Sequence, residues 1–169
     1  MRIQSRTREA PLHLRYLFYY QRPAMKKFKD LDCILLIDDD LLTNYVHSLA
    51  VKRAEIETSV KVIDNVAEAL EFLTYTGTYA SDLASPRPGL IFLDINMPGL
   101  NGWDFMDRYK KLVHTLKAKV IVVMLTSSLN DDDKKRAKID EQIVHFLSKP
   151  LRPQMVLDVV NAYFEPVNI

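Results

Sequence analysis

From Cys33 onward, short apolar runs alternate with stretches whose apolar residues recur every three or four positions. The runs are CILLI at Cys33, VKVI at Val60, LIFL at Leu90, VIVVML at Val120 and VHFL at Val144. Runs this short and continuous predict strands buried on both faces of a parallel sheet. Between them, Leu41, Leu42, Tyr45, Val46 and Leu49 form one helical stripe. Ala69, Leu70, Phe72 and Leu73 form a second, opened by the capping-box pair Asn65 and Glu68. Phe105, Met106, Tyr109, Leu112, Val113 and Leu116 form a third. Residues 130 to 139 are highly charged and predict a short, exposed fourth helix. Pro153 suits the first turn of a fifth, carrying Val156, Leu157, Val160 and Tyr163. The order is (βα)5, which predicts an α/β fold: a doubly wound, five-stranded parallel sheet with right-handed crossovers and helices on both faces. Thr76 to Pro88, with two prolines, reads as a polar loop before the central strand.

Length and charge narrow this picture. A chain of 169 residues fits one domain with a tail. The net charge of +1 hides an asymmetry, because residues 1 to 24 hold five Arg and one Glu, leaving −3 for the remainder. A mildly acidic folded part gives no support to direct DNA binding. Residues 1 to 28 read as a poorly ordered extension, residues 29 to 165 as the domain and 166 to 169 as a tail. The aromatic cluster from Leu12 to Tyr20 is interrupted by Arg15 and far too short for a membrane span, and no cleavage site follows it. Residues 1 to 24 read as dispensable upstream sequence or, on the rival reading, an amphipathic arm. Cys33 is the only cysteine, so no intrachain disulfide forms; a cytoplasmic home is expected, with Cys33 packed in the first strand.

The chemistry concentrates at one edge. Strand one ends in Asp38, Asp39 and Asp40, strand three in Asp94, strand four in Thr126, and strand five in Lys149 followed by Pro150. Ligands bind at the carboxyl edge of open α/β sheets. In a 2-1-3-4-5 order, strands one and three are neighbours about 4.8 Å apart, so their aspartates converge. Two carboxylates about 5 Å apart repel by roughly 3 kcal/mol at an effective dielectric near 20, so such a cluster must be protonated, solvated or neutralised by a cation, and a hard divalent cation is the natural answer. Oxygen-only ligands favour Mg2+, with Mn2+ as the alternative. A metal, a hydroxyl and an ammonium beside carboxylates suit a phosphoryl group attacked by Asp94. The bland readings are an acidic triplet favouring a helix dipole, Thr126 as a cap and Lys149 as a solvated strand end.

The stretch from Lys29 to Phe164 resembles a receiver domain of the two-component response regulators. The matching residues are Asp38 and Asp39, Asp94 in LDINMPGLNGW, Thr126 in MLTSS and Lys149 in FLSKP. The resemblance implies the flavodoxin-like receiver fold with strand order 2-1-3-4-5 and Asp94 as phosphoacceptor. It also implies Mg2+ held by Asp39, Asp94 and the backbone carbonyl of Asn96, with Asp38 in the outer shell. Lys149 would bind a phosphoryl oxygen, and Lys149-Pro150 would be cis. Thr126 and Phe146 would form the switch, Phe146 lacking the hydroxyl that some family members carry there, and the output surface would be helix four, strand five and helix five. The expected donor is a histidine kinase or histidine phosphotransfer protein, met near Asn44 and His47 on helix one. His47 itself reads as a surface helix residue rather than a phosphohistidine. Only Glu165 to Ile169 follow the last helix, so a stand-alone regulator is expected. It would be a signalling domain rather than an enzyme, a monomer or weak homodimer acting on an unknown downstream protein.

Two other functions remain open at this point. A haloacid-dehalogenase-like phosphatase would use Asp38 as nucleophile and Asp40 as its second aspartate. However, Leu42 stands where Thr or Val is expected, only Asp158 and Glu165 follow the lysine strand, and Asp94 goes unexplained. A pseudo-receiver would bind a partner without chemistry. Flavodoxin-like cofactor binding is disfavoured, since three aspartates after strand one would repel a phosphate.

Overall fold

The computed structural model describes residues 25–167 apart from 83, 113–121, 128–129 and 141–142. Its strands are β1 (Cys33–Ile37), β2 (Ser59–Ile63), β3 (Leu90–Asp94), β4 (Val122–Thr126) and β5 (Ile143–Ser148). Its helices are α1 (Leu41–Arg53), α2 (Val66–Thr74), α3 (Gly102–Tyr109), α4 (Asp131–Ile139) and α5 (Pro153–Tyr163), with a 3-10 turn at Gly77–Tyr79. The strands pair in parallel in the order β2-β1-β3-β4-β5, as expected. Ile34 faces Leu90 and Ile91 faces Val122, so β1, β3 and β4 end at nearly the same level. This register brings Asp38, Asp94 and Thr126 to one edge.

Alternation along the strands divides the core. Leu35, Ile37, Ile91, Leu93 and Met124 pack against α2, α3 and Ala137 of α4. Ile34, Leu36, Leu90, Phe92, Val123 and Leu125 pack against α1 and α5. β1, β3 and β4 are buried throughout, whereas β5, at the edge, is only half-buried. Cys33 is buried as expected, and burial raises its thiol pKa.

The helices begin where short polar side chains satisfy free amides. Asp40 accepts from the Thr43 amide at 2.7 Å, and Asn65 accepts from the Glu68 amide at 2.8 Å. Asn101 and Asp104 form a full capping box at α3. At Asn65 the return half of the box differs from expectation: Glu68 accepts instead from the Asn65 side-chain amide and the Tyr79 hydroxyl.

Three further expectations change. Phe28 is buried among Leu31, Ile56 and Phe164, and residues 26 to 29 bridge both Ile56 and Pro166. The packed unit therefore includes residues 25–28, previously assigned to the extension, because Phe28 closes the α1–α5 side of the core. Tyr79 packs edge-on to Phe72 at 5.2 Å under Lys61, giving the loop before β3 an apolar anchor. The third helix ends at Tyr109; Val113 and Leu116 lie outside the described residues.

The stripe on α1 is the largest correction. Leu41, Leu42 and Tyr45 are 73%, 72% and 62% exposed, while Asn44, His47, Ala50 and Val51 face inward. The cause is local: the first two turns of α1 abut the polar end of the sheet, where Asn44 donates from its side-chain amide to the Asp38 carbonyl. Only the later turns reach the apolar core.

Candidate functional site

The carboxyl edge places a lysine between two carboxylates. Lys149 Nζ lies 2.6 Å from Asp38 Oδ2 and 2.9 Å from Asp94 Oδ1. Asp38 and Asp94 are 2% and 3% exposed. Backbone bonds fix the geometry. Asp38 N donates to Ile63 O, Ile95 N to Leu125 O, and Lys149 N to Thr126 O at 2.8 Å. These bonds continue the sheet by one residue past each strand end. Lys149-Pro150 is cis, as expected. Thr126, fully buried, ends β4 on the same edge.

Two opposing effects act on this cluster. Burial pushes the Asp38 carboxyl above its ordinary value despite the Lys149 ammonium and the Asp40 amide, which hold it down. Burial also pulls the Lys149 ammonium down, but the hydrogen bonds and charges of Asp38 and Asp94 together outweigh it and leave the pKa raised. The raised Lys149 value says that its ammonium stays charged between the two acidic side chains.

One carboxylate oxygen from each of Asp38, Asp39 and Asp94 lies within 4.8 Å of the others. Three carboxylates against one ammonium leave two negative charges, which a divalent cation would balance. Asp39 is exposed, so the cluster opens to solvent on the side where a hydrated cation could enter. The donor set is all oxygen and fits a hard cation. Asn96 is exposed in the loop two residues beyond Asp94.

Asp40, by contrast, belongs to the helix. It is exposed, caps α1, and its carboxyl is held below its ordinary value by the Thr43 amide. A carboxylate so engaged is poorly placed to act as the second aspartate of a phosphatase. Phe146 is half-buried on β5 and packs against the α3–α4 side of the core.

Asn44 and His47 do not form a surface. Both are about 1–2% exposed. Burial, and then the Lys149 charge, hold His47 down at about 4, so its imidazole is neutral. Its ring borders a groove of about 330 Å³ lined by Leu42, Thr43, Val46, His47, Ser127, Lys149 and Pro150. The clue in the sequence was the spacing of Asn44, His47 and Val51 from the cap at Asp40. A second residue missed is Gly102: a Cβ there would stand 2.4 Å from the Asp94 carbonyl oxygen and 2.9 Å from Ile95 Cα. Glycine lets α3 start directly against the backbone that carries Asp94.

Known proteins resemble this chain in sequence and in fold. The family model for the response regulator receiver domain matches residues 34–161. Response regulator Rcp1 of Synechocystis sp. is 31% identical over 100 residues, covering 59% of this chain and 65% of that protein. Histidine protein kinase 1 of Candida albicans is 28% identical over 144 residues, 80% of this chain but 5% of that protein. Thus the chain spans less than two thirds of either relative. Among solved structures, a two-component response regulator from Cytophaga hutchinsonii matches with a TM-score of 0.68 at 29% identity, covering 79% of this chain and 97% of that one. The Mn2+-bound form of Rcp1 matches with a TM-score of 0.65 at 27% identity, covering 82% and 98%.

Proposed function

The chain belongs to the response regulator receiver domains of two-component systems, and on that premise we propose that Asp94 accepts a phosphoryl group from a phosphohistidine donor. The observation that carries this reading is the Lys149 ammonium held between Asp38 and Asp94 beside buried Thr126. An Asp94 carboxylate oxygen attacks phosphorus, the P–N bond to the donor imidazole breaks, and the imidazole leaves with a proton from solvent. Lys149 pairs with a phosphoryl oxygen in exchange for a carboxylate. Thr126 donates its hydroxyl to another.

Asp39, Asp94 and the Asn96 carbonyl would hold Mg2+, with Asp38 orienting its water. When bound, the ion would supply positive charge to the phosphoryl oxygens. The charge balance and the all-oxygen donor set support it, and Mn2+ satisfies the same chemistry.

The donor's docking face is α1, revised from Asn44 and His47 to the exposed Leu41, Leu42, Tyr45 and Val46. This apolar face runs into the groove that ends at Lys149, so a partner seated on it could present an imidazole to Asp94. Thr126 and Phe146 form the switch. Output passes by contact of α4, β5 and α5 with a downstream protein.

The test is intact-mass analysis after incubation with acetyl phosphate, with and without Mg2+, beside Asp94→Asn. One phosphoryl adduct that requires both Mg2+ and Asp94 is expected. An unmodified protein under conditions where a known receiver reacts would overturn the proposal and favour a pseudo-receiver.

A further inference from the structure

α4 carries little apolar surface with which to hold its place. Ala137 is its one buried residue among Asp131–Ile139, and Ile139 is 82% exposed. A helix so charged cannot be fixed by burial alone. It is instead tied to α3 by polar contacts. The Trp103 indole Nε1 donates to Asp133 Oδ1 at 2.9 Å. The Arg136 guanidinium lies 4.3 Å from the Trp103 ring centroid and 3.5 Å from Asp107 Oδ2. Lys110 pairs with Asp140 at 2.6 Å, one residue past the helix. Trp103 is itself buried, which makes it the rigid member of the set.

The α3 end of this latch rests on the phosphoacceptor. Gly102 N donates to Ile95 O at 2.9 Å, and the glycine has no room for a Cβ against the Asp94 carbonyl. Trp103 is the next residue. Only one peptide unit therefore separates the backbone pressed against Asp94 from the side chain that holds the first turn of α4. A shift at Asp94 that moves the start of α3 must move the indole, and the hydrogen bond to Asp133 tolerates little displacement.

We propose that Trp103, with Asp133 and Arg136, forms a latch coupling the state of Asp94 to the attachment of α4 through α3, separately from the path through Thr126. The inference rests on the receiver reading of Asp94. Trp103 and Asp133 are positioning residues that act on α4 and do not touch the phosphoryl group.

The test is hydrogen exchange over residues 130–140 in the full chain, with Mg2+ alone and with Mg2+ and acetyl phosphate. It is applied to wild type, Trp103→Phe, Asp133→Ala and the double variant, with intact mass recorded in parallel. Trp103→Phe keeps a ring but loses the donor; Asp133→Ala loses the acceptor. In the unphosphorylated protein each variant should exchange about fivefold faster in α4, as expected for loss of a hydrogen bond of modest net strength. The double variant should be no faster than the singles, because one interaction has been removed twice. Phosphorylation should alter α4 exchange in wild type and leave it within about twofold in the variants, while the adduct forms equally in all four. Unchanged basal exchange in both singles, or additive effects in the double, would overturn the latch. An undiminished response to phosphorylation in the variants would overturn the coupling. Lack of an adduct on wild type would instead remove the receiver reading and the coupling with it, leaving the basal comparison to decide the latch alone.

Discussion

Replacing Lys149 by methionine removes the cation between two buried carboxylates and keeps most of the side-chain volume. The ammonium lies 2.6 Å from Asp38 Oδ2 and 2.9 Å from Asp94 Oδ1, and its side chain is 16% exposed, so solvent offers little substitute. Breaking a buried pair by removing one partner costs about 3–5 kcal/mol. Independently, two carboxylates about 5 Å apart at an effective dielectric near 20 repel by roughly 3 kcal/mol. Both routes give a loss of about 3 kcal/mol at pH 7, a large share of a typical domain's stability. The deficit should shrink in acid. Without the lysine that holds it down, the Asp38 carboxyl, already raised by burial, rises further above its unfolded value, so the folded state takes up the proton first and stability falls as pH rises through that window. Mg2+ should also recover more stability in the variant than in wild type, since ligand binding adds RT ln(1 + [L]/Kd) and the variant's site carries one more negative charge. Urea unfolding of both proteins in EDTA and in Mg2+ measures each term. A Lys149→Met protein within about 0.5 kcal/mol of wild type in EDTA, or one that gains no more from Mg2+, would refute this electrostatic account.

Other consequences are equally specific. His47 is held at about 4 against an ordinary value of 6.5, so the unfolded chain binds its proton first as pH falls. Stability should then drop between about pH 6.5 and 4 by on the order of 3 kcal/mol, and His47→Gln should flatten this part of the urea-midpoint profile. An unchanged profile would mean that the imidazole is not kept neutral by burial. Gly102→Ala should cost about 1–3 kcal/mol and slow Asp94 phosphorylation, because its Cβ meets backbone rather than a movable side chain. Normal stability and normal rate would refute the close approach. Leu42→Asp, at an exposed site, should leave phosphorylation by acetyl phosphate intact and slow transfer from a phosphohistidine protein at least about tenfold, the loss expected at a desolvated interface position. Equal transfer rates would move the docking face away from α1.

The topology was legible because the strands are nearly pure apolar runs, as a strand covered on both faces of a parallel sheet requires, and Leu90 to Leu93 are all buried. Asp94 and Thr126 were legible for the same reason, each being the first polar residue after such a run, and Lys149 follows its run after a single Ser148. The misreading of α1 has a physical origin. Periodicity marks which residues share a face, not which way that face points, and Leu41, Leu42, Tyr45 and Val46 share the solvent side. The rotation is set by the Asp40 cap and by Asn44 reaching the Asp38 carbonyl. Neither is visible as hydrophobicity. Asp40 was likewise grouped with its two acidic neighbours, although it serves the helix. The latch on α4 was hidden because it joins Trp103 to Asp133 across separate elements, and no local pattern encodes such a pair. Phe28 was set outside the domain because one aromatic before a charged stretch carries no period.

The account stands or falls on which carboxylate becomes phosphorylated. The acyl phosphate formed with acetyl phosphate and Mg2+ can be reduced with borohydride, which converts the modified aspartate to homoserine, and the position read by peptide mass mapping. The account predicts homoserine at Asp94 alone. Homoserine at Asp38 would contradict it and turn the reading to a phosphatase with its nucleophile at the end of β1.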